Sequence, residues 1–204
     1  MANVKNYIEE IYQEAGLFAG PARRQELVRE MQELEGKTIH CFTCLGTCCT
    51  QAANSMLITP IEALEILASI NIDKFTDSEI LEFKKRMNDT VSQFRLNVEI
   101  YTGKKTSSAF RKTYTCPFFN NGALGCSLSR GSKPYGCLGF NPKTSDDNGK
   151  TCSSNVLLLE VRENTFLKSE DLANQKIRKD LNLPWIKQNI PQALLDVLEK
   201  SKTC

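Results

Sequence analysis

The sequence predicts a mainly α fold: a single domain of packed helices around an irregular, cysteine-rich loop core. Three observations lead there. Apolar residues recur at intervals of three and four through most of residues 4–97 and again near the C-terminus, the spacing of helices with one buried face. Residues 101–152 lose that periodicity and are rich in Gly, Ser, Asn and Pro, with Pro117, Pro134 and Pro142 among them. Eight of the nine cysteines crowd into residues 41–49 and 116–152. Within the fold, residues 1–36 are expected to form an N-terminal helical hairpin. Residues 37–153 should be the cysteine-cluster region, and 154–204 a C-terminal helical extension packed on it.

Each element has its own signal. Val4, Tyr7, Ile8, Ile11 and Tyr12 form one stripe over Val4–Glu14, and Gly16 and Gly20 then break the pattern. Pro21 suits a first helical turn, and Leu27, Val28, Met31 and Leu34 mark a second helix ending at Gly36. These two helices are expected to pair as the hairpin. A third helix should begin at Pro60, with Ile61, Leu64, Leu67 and Ile70 along one side. Thr76 and Glu79 have the spacing of a capping box, in which each side chain satisfies the other residue's free N–H. The stripe that follows, Ile80, Phe83, Met87, Val91 and Phe94, carries that helix to about Asn97.

Val156–Val161 fits either a short strand or the first turns of a helix, since a short apolar run does not separate the two. Ser169 is the expected cap of a helix over 170–181. Pro191 should open a last helix with Leu194, Leu195 and Leu198 inward, and Trp185 should anchor the last two helices in the core.

Composition narrows the function classes. With 26 basic against 24 acidic residues the net charge is +2, so no global field steers the chain to nucleic acid or a membrane surface. The N-terminal segment mixes acids into its apolar pattern, unlike a signal peptide. No apolar run approaches the ~18 residues of a membrane span. Nine cysteines in such a chain predict a reducing, cytoplasmic setting in which clustered thiols are metal ligands or redox groups rather than disulfides.

The cysteines read C-x2-C-x3-C-C over Cys41, Cys44, Cys48 and Cys49, then C-P-x8-C-x10-C-x14-C over Cys116, Cys126, Cys137 and Cys152. The spacing of Cys41 and Cys44 lets two thiolates converge on one metal. Thiolate-rich sites select zinc or iron–sulfur clusters over hard cations. All eight are candidate metal ligands, and the loop core is therefore expected to be organised by metal.

Adjacent residues of extended backbone point to opposite faces. Cys48 and Cys49 sharing one ion would thus need a distorted peptide. A multi-iron cluster, a second metal, or a non-ligand role for one of the two each removes the difficulty. Gly46, Gly122, Gly125, Gly131, Gly136 and Gly139 leave room for backbone amides to approach sulfur, and Arg111, Lys112, Arg130 and Lys133 supply nearby positive charge. His40 adjoins Cys41, and that adjacency works against both binding one ion. Cys204, at the C-terminus, is expected to be a free thiol.

These residues resemble a known family. The order C-x2-C-x3-CC, a following LITPIEALEIL helix, and then CPFFNNGALGCSLSRGSKPYGCLGFNP are similar to the YkgJ-like bacterial cysteine-cluster proteins. These are described as a zinc- or iron-chelating domain and include the flagellin lysine methylases. Cys116-Pro117-Phe118-Phe119, Gly125-Cys126, Pro134-Tyr135-Gly136-Cys137 and Phe140 carry the match, which covers roughly residues 41–152. Lys133 and Leu138 stand where the family has arginines, and Asn141 separates Phe140 from Pro142. The resemblance implies a metal site, with an iron–sulfur cluster of the 4Fe-4S type suggested by the methylase relatives and zinc as the other occupant. It also implies an alternative: a protein-lysine methyltransferase or its cluster-bearing partner, using S-adenosylmethionine and acting with a protein partner.

Other chemistries find less support. The x2-then-x3 order reverses the spacing of radical S-adenosylmethionine enzymes, and with one histidine there is no His-Glu-x-x-His zinc hydrolase motif. No catalytic acid–base pair, nucleophile elbow or nucleotide-binding loop is visible, so catalysis is left open. Lys104, Lys105, Phe110, Arg111, Lys112 and Tyr114 form a basic-aromatic stretch. The near-neutral charge and the lack of repeated fingers argue against nucleic acid.

Overall fold

A computed structural model of the chain describes residues 3–39, 46–98, 112–120, 125–144 and 152–201. Its α-helices are α1 (Val4–Glu14), α2 (Gly20–Arg23), α3 (Gln25–Gly36), α4 (Pro60–Ser69), α5 (Asp77–Gln93), α6 (Tyr135–Leu138), α7 (Val156–Asp180) and α8 (Ile190–Lys200). Among the described residues strand is confined to two-residue pieces: β1 (Leu57–Ile58), β2 (Phe140–Asn141), β3 (Ser153–Ser154) and β4 (Gln188–Asn189). β1 pairs antiparallel with β4, and β2 with β3. The fold is mainly α, as the sequence predicts.

Helix α4 is the central strut. Every residue from Pro60 to Leu67 is buried, as expected of a helix that is apolar nearly all round. It packs against α8, α1 and α7, while α8 also packs on α5. Ile58, Ile61, Leu64, Met87, Leu194 and Leu198, all fully inaccessible, form the middle of this core. Thr59 starts α4 with a capping box to Glu62, and Thr76 starts α5 with the predicted box to Glu79.

Several expectations hold and several change. α1 and α4 have the predicted starts, and α8 carries Leu194, Leu195 and Leu198 inward with Pro191 in its first turn. Trp185 packs on the core and donates its indole N–H to Asp196 at 2.7 Å. The second predicted helix is interrupted at Arg24, giving α2 and α3. The main partners of α1 are α4 and α7, whereas those of α3 are α6 and α7, so the two helices of the expected hairpin mainly pack elsewhere. α5 stops at Gln93, because Arg95 takes a left-handed conformation (φ 50°) that a helix cannot continue.

The largest change is α7. Val156–Val161 is its first turn and a half, capped by Asn155, whose side chain accepts from Leu158 N–H at 3.1 Å. No Gly or Pro interrupts its 25 residues, and the helix runs through Ser169. Ser169 caps nothing. Its hydroxyl donates to Phe166 O at 3.1 Å inside the helix. Among the described residues no helix is long and apolar enough to cross a membrane.

Candidate functional site

A cavity of about 760 Å³ lies between α4, α7 and the irregular cysteine-bearing segments. Cys48, Cys49, Cys116, Cys126, Cys137 and Cys152 all line it, and none of them is in a disulfide. Six thiols from four stretches of chain thus face one space. His40, Cys41, Cys44, Arg111, Gly122 and Cys204 lie outside the described residues, as do Lys104, Lys105 and Phe110.

Short local structures deliver each thiol. Thr47–Cys49 is a single 3-10 turn, closed by Cys49 N–H to Gly46 O at 2.7 Å. A turn rotates successive side chains by about 120° instead of 180°. That is why the neighbours Cys48 and Cys49 both reach the cavity, where extended backbone would have sent them apart. Gly46 permits this turn in two ways: its φ is +71°, and a Cβ there would overlap the Phe119 ring.

Cys116 is tied directly to the first cluster, its N–H donating to Cys49 O at 2.7 Å. Cys126 is held near it by an antiparallel bridge to Phe119, flanked by Ser127 N–H to Phe118 O and Asn120 N–H to Gly125 O. Cys137 sits in α6, and the β2–β3 pair brings Cys152 back alongside the end of that helix.

The electrostatics couple these groups. Cys49 donates to Cys48, which lowers the Cys48 thiol to about 7, against the opposing effect of burial and with help from the Lys133 charge. Its donor partner, Cys49, is correspondingly raised. Burial pushes Cys116 up to about 12 and Cys137 well above the ordinary thiol range, and the charges of neighbouring cysteines raise both further. As the side chains lie, no three of the described Cys, His, Asp or Glu groups converge tightly enough to hold a metal ion.

Of the described cations expected near the sulfurs, Lys112, Arg130 and Lys133, only Lys133 faces the cavity. Arg130 pairs with Glu35, and Lys112 donates to the carbonyls of Arg95, Leu96 and Val98 at the end of α5. Arg86, which the sequence did not single out, adds positive charge near Cys116 and lies over the Phe118 ring.

Behind the cavity stands a buried ionic cluster that sequence reasoning missed. Arg23 bonds Glu65, Glu170, Tyr135 and Phe18 O, while Arg24 pairs with Glu65 at 2.6 Å and donates to Gly20 O and Lys133 O. Arg162 pairs with Glu170 and lies over the Tyr135 ring, 3.1 Å from its centre. Burial alone would raise Glu65, but Arg24 and Arg23 outweigh it and hold the carboxyl below the usual range. Desolvation lowers Arg162.

Glu62, already part of the α4 capping box, also accepts from Tyr135 N–H at 3.1 Å. The cluster therefore clamps the first residue of the Cys137-bearing helix to α4, α2 and α7. Its sequence signal is the pair Glu62 and Glu65, one helical turn apart in an otherwise apolar helix. Two charges in a helix with no exposed face need buried partners.

No family model matches this chain, and neither a curated protein nor a solved structure gives a significant match.

Proposed function

We propose that this is a metal-binding protein that coordinates an iron–sulfur cluster or zinc through clustered cysteine thiolates. The observation that carries the reading is the meeting of Cys48, Cys49, Cys116, Cys126, Cys137 and Cys152 on one cavity from four separate stretches of chain. The chemistry of this donor set fits such a group. Soft thiolates select zinc or iron–sulfur centres. Burial above all, with the charges of Cys126 and Cys48, raises Cys116 and Cys137 and so holds both protonated, and a bound cation is what would displace those protons. Cys41 and Cys44, outside the described residues, join the ligand set on their spacing alone. When bound, the group would supply either a rigid cross-link between the loops or an electron-transfer centre. The chain's own part is to present the thiols from turns that α4 and the ionic cluster hold in place.

The test is purification without oxygen, followed by metal analysis and an ultraviolet–visible spectrum. Broad sulfur-to-iron absorption with stoichiometric iron and sulfide identifies a cluster, and a colourless protein with stoichiometric zinc identifies the zinc form. Protein free of transition metal that also takes up neither zinc nor a reconstituted cluster overturns the reading.

A further inference from the structure

Structural zinc and a cubane iron–sulfur cluster each take about four protein ligands. As the described side chains lie, no three donor groups converge, but two thiols already stand together. Cys48 and Cys49 share the Thr47–Cys49 turn and the cavity wall, and they are close enough for the Cys49 thiol to donate to Cys48 Sγ.

The pair is fixed in advance by its backbone. Cys49 N–H bonds Gly46 O at 2.7 Å, and the N–H and hydroxyl of Thr50 both bond Thr47 O, at 3.1 and 3.0 Å. Cys116 N–H holds the Cys49 carbonyl at 2.7 Å. An ion joining the two sulfurs therefore has little chain freedom to remove, and ordering costs little there.

A metal ion content with two soft donors is closed-shell Cu(I), which takes thiolate and thioether sulfur. The surroundings suit it. Met31 and Met56 line the same cavity, and Met56 Sδ lies so near α6 that a Cβ at Gly136, beside Cys137, would stand 3.0 Å from it. Of the lining carboxylates, Glu62 is engaged by Thr59 and Tyr135, and Glu170 by Arg23, Arg162 and Tyr135, while Glu163 and Asp171 lie exposed. Two thiolates on a singly charged ion leave one negative charge by formal count, and the Lys133 charge, which reaches Cys48 from the same wall, opposes it.

We propose that Cys48 and Cys49 form a two-sulfur seat for one Cu(I) ion. Binding breaks the two S–H bonds, passes both protons to solvent and forms two Cu–S bonds. Copper enters and stays as Cu(I), so no electron is exchanged. The seat goes beyond the zinc or iron–sulfur reading, because it needs no other thiol to move.

Cu(I) supplied as its bicinchoninate complex to the full chain, purified without oxygen, tests the seat. The protein should withdraw one equivalent from the chelator, and X-ray absorption at that equivalent should show two sulfur neighbours per copper. Replacing both thiols, Cys48→Ser with Cys49→Ser, should weaken this first equivalent by at least about ten-fold, the least that loss of a metal-site partner costs. Cys204→Ser, which removes a thiol outside the candidate ligand set, should leave it within about two-fold. The absorption measurement needs no variant to fold, and thermal unfolding shows whether the double variant does. Copper that stays with the chelator, three or more sulfur neighbours, or a smaller loss in the folded double variant overturns the proposal. Zinc and reconstituted-cluster uptake by the same preparations is read separately, so a failure here with that uptake intact removes the copper seat alone.

Discussion

The two halves of this molecule reach order by different physics. Around α4, α5 and α8 the chain is held by ordinary burial: Ile61, Leu64, Met87, Leu194 and Leu198 are fully inaccessible, and each helix has a capped or proline-primed start. The cysteine-bearing half has one four-residue helix, two-residue strands and scattered backbone hydrogen bonds such as Cys116 to Cys49. Leu27, Tyr135 and Leu138 form a small buried apolar cluster of their own there, while Tyr114, Phe118 and Leu128 reach into the main core. What supplements this smaller apolar contribution is polar clamping, through Glu62 and the Arg23–Arg24–Glu65–Glu170 cluster. Regular structure can thus be built from area, whereas a loop bearing many thiols must be pinned at points.

The comparison can be broken, starting with the largest effect. Chelating the proposed metal should cost on the order of 10 kcal/mol of apparent binding free energy, concentrated in the cysteine half. Hydrogen exchange read by mass spectrometry should then rise across residues 112–144, while α4, α5 and α8 keep their protection. Uniform loss across both halves would mean that they are one cooperative unit.

Glu65→Gln tests the clamp itself. Removing one partner of a buried ion pair leaves Arg23 and Arg24 short of negative charge, at about 3–5 kcal/mol, measured by urea unfolding. The same variant carries a pH signature. Glu65 is depressed in the fold, so its contribution is present above the unfolded carboxylate pKa of about 4.3 and is lost as pH falls through the lower folded value. The parent should therefore lose more stability on acidification than Glu65→Gln does.

Leu194→Ala, in the opposite half, should cost about 2–5 kcal/mol through lost burial and a residual cavity. It should leave the absorption or metal content of the cysteine centre unchanged. Gly46→Ala should be the mildest in stability, about 1–3 kcal/mol for a left-handed non-glycine residue that also meets Phe119. Its effect should fall on metal content, since it moves Cys48 and Cys49. A drop in metal content in Leu194→Ala, or none in Gly46→Ala, would erase the distinction between the halves.

Legibility in the sequence follows the same division. The starts of α1, α4, α5 and α8 could be read because periodicity and caps are local signals. The Ser169 boundary failed because a serine inside a helix can bond its own turn and leave the chain helical. The cysteines were visible as candidate ligands, but the clamp behind them was not. Arg23 meets Glu65 and Glu170 across 42 and 147 residues of chain, distances over which no local pattern reports.

By itself the sequence determined the helical class, the positions of most helix starts and the residue types at the thiol-lined site, because each depends on neighbours within one or two turns. Tertiary structure alone decided that Cys48 and Cys49 share a face, that α7 runs unbroken past Ser169, and that a buried arginine–glutamate cluster stands behind the sulfur-lined cavity. Those outcomes depend on which distant side chains meet in the interior, where an unmet charge or hydrogen bond is costly enough to select the arrangement.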